Sequence, residues 1–226
     1  MDTTASNSIK LHFEMLPAKT VKAFDFLSKE KWLEKSSWYL AGGTALTLQV
    51  GHRKSVDLDF FTQDKDFSND ELLEHFPSTV DWKTDINRKN TIYGELFGAK
   101  VSFIAYPFFI PVEQPILYGS IKILKLDDIA VMKIIAISQR GRKRDFFDLY
   151  WFMQHGEILE KTMRKLKNQY PSVAHDYHHI LKSLVYFEDA EDDPNPEINF
   201  KASWKEVKDF FKNQIPTITK RLVDLR

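Results

Sequence analysis

The stretch LAGGTALTLQVGHRKSVDLDFF, residues 40–61, contains the pattern that decides the fold. A short apolar run ends in the pair Gly42–Gly43, an apolar segment of helical length follows, and the next run places Asp57 and Asp59 at alternate positions. Glycine turns and alternating polarity are typical of the junctions and strands of a sheet. The stretch therefore predicts a strand, a glycine turn, a helix and a second strand, in that order.

The two aspartates of the second strand predict a cation site. Alternate side chains of a strand share a face, so Asp57 and Asp59 are expected to project away from the face of Val56, Leu58 and Phe60. With about 3.3 Å rise per residue, their Cα atoms lie roughly 7 Å apart, and the carboxylates repel each other unless a cation or water lies between them. Mg²⁺ typically binds one or two carboxylates together with substrate phosphates.

The glycine pair predicts an anion site beside the aspartates. Gly42 and Gly43 leave backbone N–H groups exposed at the amino end of the helix, where the helix dipole favours a triphosphate. Thr44, at the expected cap position, offers its hydroxyl to a phosphate oxygen or caps the helix. Taken separately, GGT is an ordinary turn and D-x-D an exposed strand face. Their joint occurrence favours a nucleotide site.

Composition indicates a globular protein in a reducing compartment. The chain has 226 residues, of which 43% are hydrophobic, and it contains no cysteine, which excludes disulfides and thiolate metal sites. Lys plus Arg equals Asp plus Glu at 32 each, so the whole-chain charge does not favour nucleic acid. Residues 1–16 lack the features of a secretory signal, and no apolar run approaches the roughly 20 residues of a membrane span. We expect a soluble, cytoplasmic protein.

The pattern of apolar residues changes near residue 125. Residues 19–35 and 70–76 are expected to be helical, and residues 80–88, 91–98 and 100–108 are expected to extend the sheet as antiparallel strands. Five helical patterns follow, at residues 126–140, 143–156, 158–170, 174–187 and 203–223. We predict an α+β fold with a mixed sheet and flanking helices, in which residues 1–125 form a core and residues 126–226 form a helical region packed on it.

Three charged residues in the helical half are candidates for the same site. Lys133 lies in a run with few polar positions, and an ammonium group suits a triphosphate; the alternative is that it occupies a thin solvent-exposed stripe. Asp145 and Asp148 are three residues apart and share a helix face. Asp145 also fits a stabilising charge at a helix amino end.

Further candidates are a basic cluster and a histidine pair. RGRKR places Arg140, Arg142, Lys143 and Arg144 beside the helix of Lys133, and they could contact nucleic acid or nucleotide; the alternative is a solvated helix connection. The pair His175/His179 has metal-ligand spacing without an accompanying H-E-x-x-H glutamate, so we interpret it as surface residues.

These motifs carry a family resemblance. An apolar strand, GG[T/S], about a dozen residues and D-x-D resembles the signature of the nucleotidyltransferase superfamily that includes DNA polymerase beta. Residues 40–61 together with LDDIAVMKIIAISQRGRKRDFFDLYWF, residues 126–152, resemble the AbiEii/AbiGii toxin family of nucleotidyltransferases. The resemblance implies a nucleotidyltransferase-like sheet.

The resemblance also implies roles for individual residues. It makes Asp57 and Asp59 the metal ligands, Lys133 the phosphate-contacting lysine, and either Asp145 or Asp148 the later aspartate that activity requires. The nucleotide-binding residues that it implies, besides Lys133, are Gly42, Gly43, Thr44, Arg53 and Ser55.

The implied activity is Mg²⁺-dependent transfer of a nucleoside monophosphate from an NTP, with Mn²⁺ as a second candidate metal. The acceptor would be a hydroxyl of RNA, such as the 3′ end of a tRNA, or of a protein. The chain would be the toxin of a toxin–antitoxin or abortive-infection system, with a separately encoded antitoxin and no membrane partner.

One position departs from the superfamily pattern. Members with full two-metal chemistry usually contribute a third carboxylate from a neighbouring strand, and Ser102 stands in the matching place. Either Glu95 fills the role, or activation of the attacking hydroxyl is arranged differently, or the protein is a catalytically silent nucleotide-binding module. A further alternative is an RNA-binding protein that uses RGRKR.

Overall fold

The computed structural model of the protein describes residues 10–173 and 176–223. Its strands are β1 (Tyr39–Ala41), β2 (Leu58–Thr62), β3 (Trp82–Arg88), β4 (Thr91–Leu96), β5 (Ala99–Ala105), β6 (Ile116–Tyr118) and β7 (Ile121–Ile123). A 3₁₀ turn at Phe13–Met15 precedes the helices, which are α1 (Ala18–Leu27), α2 (Lys31–Lys35), α3 (Gly42–Val50), α4 (Asn69–Glu74), α5 (Leu126–Arg140), α6 (Lys143–Gln154), α7 (Leu159–Gln169), α8 (Tyr177–Ser183), α9 (Glu188–Glu191) and α10 (Trp204–Val223).

The described strands form one mixed sheet in the order β3-β4-β5-β2-β1-β7-β6. β2 pairs antiparallel with β1 and parallel with β5, while β3, β4 and β5 follow one another as antiparallel neighbours. β1 pairs parallel with β7. The predicted α+β class, with a mixed sheet and flanking helices, is confirmed.

The opening stretch folds in the predicted order. β1 leads through Gly42–Gly43 into α3, which ends where Gly51 adopts a left-handed conformation with φ +60°. Glycine reaches this conformation without a Cβ clash, so the helix stops there and the chain turns towards β2. Leu58 and Phe60 are fully buried on one face of β2, whereas Val56, expected on the same face, lies before the strand and is 45% exposed.

One expectation about a helix was wrong, and two strands were missed. Residues 19–35 form two helices, because the chain turns between Ser28 and Glu30. Sequence reasoning also missed β6 and β7, which extend the sheet beyond β1. Each has only three residues, too few for a period of two to be recognised.

The helical half begins at α5, as predicted. Buried side chains of both halves belong to one hydrophobic cluster, in which Ile134 of α5 and Phe211 of α10 join Leu46 and Phe60 of the first half. The division into residues 1–125 and 126–226 as structural units stays a prediction. Within the described residues, no helix combines the length and apolarity that crossing a membrane requires.

Candidate functional site

A cleft of about 430 Å³ lies where the amino end of α3, the face of β2, β4 and β5, and one side of α5 meet. Its volume is in the usual range for a small-molecule site. The predicted residues that line it are Gly42, Gly43, Arg53, Ser55, Asp57, Asp59, Ser102, Lys133, Arg140 and Arg144. Residues that are far apart in the chain therefore meet in one place.

Asp57 and Asp59 form the acidic part of the cleft. Asp59 accepts a 2.8 Å hydrogen bond from the Ser102 hydroxyl, and Asp57 lies 3.6 Å from Nη1 of Arg144. Burial raises the pKa of Asp59; the Ser102 hydrogen bond opposes this rise, and the charge of Asp57 adds to it. A cation bound at the two carboxylates would offset both the cost of burying the charge of Asp59 and the repulsion between Asp59 and Asp57.

The acid pair fits Mg²⁺, with the remaining ligands coming from phosphate and water. Within residues 10–173 and 176–223, no group of three acidic or histidine side chains is arranged to hold a metal ion. Ser102 pairs with Asp59 across β2 and β5, so it occupies the place expected of a third ligand. Glu95 pairs with Lys100 and does not line the cleft. Among the residues that the structure describes, Asp57 and Asp59 are therefore the two carboxylates that line this cleft.

The glycine pair lies directly against the charged groups. Gly42 has φ +72°, and a Cβ there would stand 3.1 Å from Oδ2 of Asp59. A Cβ at Gly43 would stand 2.3 Å from Nη2 of Arg53 and 3.3 Å from the Ser55 hydroxyl. Any side chain at Gly43 would displace the guanidinium, so glycine is needed there for close packing.

Thr44 supports the cleft from behind. It is the third residue of α3, whose N-cap is Ala41, so the expected cap position was wrong. Thr44 is 1% exposed, its hydroxyl donates to the carbonyl of Asp57, and it lies 2.9 Å from the Ser55 hydroxyl. It therefore connects α3 to the segment that carries Asp57 and does not line the cleft.

Lys133 contacts both candidate aspartates. Its Nζ lies 2.6 Å from Oδ1 of Asp145 and 2.7 Å from Oδ2 of Asp148, and all three side chains are at most 5% exposed. The proposed solvent-exposed stripe for Lys133 is therefore excluded. Although burial alone would raise the pKa of Asp145, the charges of Lys133 and Arg140 lower it overall.

Asp148 organises the other side of this network. It accepts hydrogen bonds from Nε and Nη2 of Arg53, at 2.5 and 2.9 Å, and from Nε2 of His52 at 2.7 Å. Burial opposes its ionisation, but Arg53 and Lys133 hold the pKa of Asp148 well below its ordinary value. Burial lowers the pKa of His52, whose Nδ1 has no partner among the described residues. We infer a neutral imidazole that donates from Nε2.

The basic cluster divides between two surfaces. Arg140 and Arg144 line the cleft and are 53% and 47% exposed at their side chains. Arg142 pairs with Asp193 at 2.7 Å, while Lys143 is buried and donates to carbonyl oxygens of Glu191 and Asp193. The acidic segment 188–193 thus binds half of the cluster, on a surface outside the cleft.

Sequence reasoning missed two parts of this region. The partner of Asp148, His52, carries no motif of its own. Four aromatic residues also line the cleft, namely Phe61, Tyr93, Tyr106 and Tyr170. For Phe61 and Tyr93 a strand position was the available signal. Tyr106 follows β5 and Tyr170 follows α7, where no periodic pattern marks them. The weaker metal pair stays untested, because His175 lies outside the described residues, while Nε2 of His179 lies 3.1 Å from the carbonyl oxygen of Ser138.

Comparison with known proteins decides the family. The sequence matches the family described as "Nucleotidyl transferase AbiEii toxin, Type IV TA system" over residues 25–93 and 97–221. The chain belongs to the AbiEii family. The protein aq_aa25 of Aquifex aeolicus (strain VF5) is 39% identical over 186 residues, which cover 80% of this chain and 87% of that protein.

Solved structures resemble the AbiEii chain at low sequence identity. JHP933 from Helicobacter pylori has a TM-score of 0.52 at 20% identity, covering 93% of this chain and 96% of its own, which shows a shared fold. MenT4, a nucleotidyltransferase toxin from Mycobacterium tuberculosis H37Rv, has a TM-score of 0.47 at 15% identity, covering 80% and 75%. Family membership makes the protein a nucleotidyltransferase toxin and implies a nucleotide substrate and an antitoxin partner. The resemblance predicted from the motifs is confirmed.

Proposed function

We propose that this toxin transfers a nucleoside monophosphate from an NTP to a hydroxyl at an RNA end, such as the 3′ end of a tRNA, with Mg²⁺ bound to Asp57 and Asp59. Mn²⁺ is a candidate substitute. One observation carries the proposal: the acid pair, the glycine turn and Lys133 line one cleft. We further propose that the toxin acts in the cytoplasm and is countered by a separately encoded antitoxin.

The triphosphate would lie against the basic side of the cleft. Backbone N–H groups at the start of α3 favour an anion. Lys133 has three N–H donors, two of which point to Asp145 and Asp148, so one is available to a phosphate oxygen. Arg53, held by Asp148, is oriented before the nucleotide binds. These contacts position the phosphates and stabilise charge that develops on the leaving group.

The acid pair would hold the metal. Asp57 and Asp59 would hold Mg²⁺, which would supply positive charge that neutralises the phosphates and favours attack at the α-phosphorus. In the transfer, the acceptor oxygen forms a bond to the α-phosphorus, and the bond to the β-phosphate bridging oxygen breaks, which releases pyrophosphate. Ser102 supplies no carboxylate base at its position, so the proton of the acceptor hydroxyl passes to water.

RNA is favoured as the acceptor because the cleft carries exposed cations. Arg140 and Arg144 stand at the cleft, and phosphate neutralisation by such groups provides much of the affinity for nucleic acid. The alternative RNA-binding protein based on RGRKR is less well supported, since Arg142 and Lys143 are engaged by segment 188–193.

A second candidate function is nucleotide binding without transfer. Its support is the contact between Ser102 and Asp59, which replaces a metal-binding carboxylate by a weak ligand. Such a module would bind an NTP and Mg²⁺ but release no pyrophosphate.

The decisive experiment incubates the protein with each of four α-labelled NTPs, Mg²⁺, and either total tRNA or total protein. We expect label on tRNA with the natural chain and none with Asp57→Ala. Asp66→Ala is the matched control, because Asp66 is an exposed acid that does not line the cleft. Label on protein alone would contradict the RNA acceptor. Magnesium-dependent binding of NTP without label on either acceptor would favour the silent module.

A further inference from the structure

Three residues on neighbouring strands form a row across the floor of the cleft. Asp59 of β2 pairs with Ser102 of β5, and Ser102 pairs with Tyr93 of β4. Residues paired in this way share one face of the sheet, with neighbouring strands about 4.8 Å apart. Tyr93 therefore stands beside the position of the replaced carboxylate, two strands from Asp59.

The ring of Tyr93 is accessible at the cleft. Tyr93 is 41% exposed and lines the cleft together with Asp59 and Ser102. Burial of the rest of the side chain raises the pKa of Tyr93; the charge of Asp59 adds to the rise, and Arg140 opposes it. The phenol lies on the same face of the sheet as Asp59.

Basic side chains line the same cleft as this tyrosine. Lys100 is exposed on β5 and lines the cleft, one position along the face from Ser102. Arg140 and Arg144 approach from the helices. An exposed aromatic ring next to basic side chains is the usual arrangement for single-stranded nucleic acid, in which bases stack and phosphates pair with cations.

We propose that Tyr93 is the acceptor platform, on which the last base of a single-stranded RNA end stacks so that its ribose hydroxyl faces the acid pair. This inference rests on the proposed function and specifies the acceptor as an unpaired nucleotide end. Tyr93 acts here as a positioning residue. Stacking would hold the acceptor next to the position of the missing third carboxylate, because the row places Tyr93 beside Ser102. A serine or threonine of a protein acceptor offers no such planar group.

The test measures binding of a fluorescein-labelled, seven-nucleotide RNA ending in CCA by anisotropy, without NTP or Mg²⁺. The variants are Tyr93→Phe, Tyr93→Leu and Tyr93→Ala. Tyr186→Ala is the control, since Tyr186 is a 49% exposed tyrosine that does not line the cleft. Binding of NTP with Mg²⁺ is measured in parallel by calorimetry for every variant.

We expect Tyr93→Ala and Tyr93→Leu to weaken RNA binding about five-fold or more, the effect of losing one stacked base. Tyr93→Phe and Tyr186→Ala should stay within about two-fold, since both keep the ring at position 93. The same RNA with its end paired in a duplex should bind all variants alike. NTP binding should be unchanged throughout, which shows that the variants are folded.

If Tyr93→Ala and the natural chain bind the RNA with equal affinity, the proposal that Tyr93 is the acceptor platform is wrong. Loss of affinity in Tyr93→Phe equal to that in Tyr93→Ala would overturn stacking as its basis. Failure of the proposed function is recognised separately, because the natural chain would then transfer no label from any α-labelled NTP to tRNA, whatever its affinity for the labelled RNA. In a transfer assay, Tyr93→Ala should raise KM for the RNA and leave KM for the NTP unchanged.

Discussion

Arg53 donates two hydrogen bonds to Asp148, from Nε at 2.5 Å and Nη2 at 2.9 Å, across 95 residues of sequence. Asp148 has no exposed surface, and Arg53 is only 4% exposed. The pair joins the segment between α3 and β2 to α6, and the guanidinium that it holds packs against Gly43. The aspartate is therefore linked to the cleft through Arg53 and Lys133, which line it.

Asp148→Ala should lower the free energy of unfolding by about 3–5 kcal/mol, because it leaves Arg53 and Lys133 as buried charges without a common partner. Urea unfolding followed by circular dichroism measures the change. Asp209→Ala is the control, since Asp209 forms an exposed i, i+4 pair with Lys205, and it should change stability little. Equal effects of the two substitutions would show that the buried network does not stabilise the fold.

Acidification should remove the stabilisation that the ionised Asp148 provides. The pKa of Asp148 is held well below its ordinary value of about 3.9, so below about pH 4 the unfolded chain binds a proton that the folded chain does not. The contribution of Asp148 to the free energy of unfolding is therefore complete above about pH 4, and it is lost as the pH falls towards the pKa of Asp148 in the folded chain. Urea unfolding at pH 7, 5, 4 and 3.5 should give a steeper loss for the natural chain than for Asp148→Asn. Parallel curves would mean that Asp148 is not held ionised.

Gly43→Ala should weaken NTP binding about ten-fold or more, because the new methyl group displaces the guanidinium that Asp148 holds against it. Gly98→Ala is the control. Gly98 has φ +75° with nothing within 4 Å of a Cβ, so alanine there costs about 1–2 kcal/mol of backbone strain without touching the cleft. Calorimetry with NTP and Mg²⁺ measures the affinity of both variants. If Gly43→Ala binds NTP as tightly as the natural chain, Arg53 does not contact the phosphates.

Arg144→Ala should weaken RNA binding, whereas Arg142→Ala should not. The two side chains are 47% and 54% exposed, but Arg144 lines the cleft beside Asp57 and Arg142 pairs with Asp193. RNA affinity measured at several salt concentrations should show a salt slope reduced by about one for Arg144→Ala only. The reverse result would place the RNA on the surface of Arg142.

The opening stretch allowed residues that line the cleft to be predicted, because the sequence pattern there is local. Strand, glycine turn and helix are decided by neighbouring residues, and the alternation of Asp57 and Asp59 places both on one side. The contribution of Lys133 was also recognisable, since a charge in an apolar helix needs a partner. Its aspartates follow 12 and 15 residues later on the next helix, where a short connection brings them close.

Other features depend on contacts between distant segments. Lys143 looked like part of a basic patch, but its partner Asp193 is 50 residues away, and no pattern around either residue indicates the pairing. The role of His52 depends on α6 approaching α3, 96 residues along the chain. Tyr93 became a candidate only when strand register placed it beside Ser102. Register follows from pairing of whole strands, which a single segment does not determine.

The serine beside Asp59 leads to the last prediction. Ser102 is 2% exposed and donates to Asp59, so Ser102→Asp would place a third carboxylate against two others. Without metal, the mutual repulsion should lower the melting temperature, and Mg²⁺ should restore it, because three carboxylates bind the ion more tightly than two.

Differential scanning calorimetry with EDTA and with Mg²⁺ measures this effect for Ser102→Asp, for the natural chain and for Ser102→Asn, which has a similar size and no charge. Only Ser102→Asp should gain more stability from Mg²⁺ than the natural chain does. The same gain in Ser102→Asn would show that size rather than charge is responsible. No gain in any of the three proteins would mean that the ion does not bind beside Asp59, since a third carboxylate at that position would then repel its neighbours at every magnesium concentration.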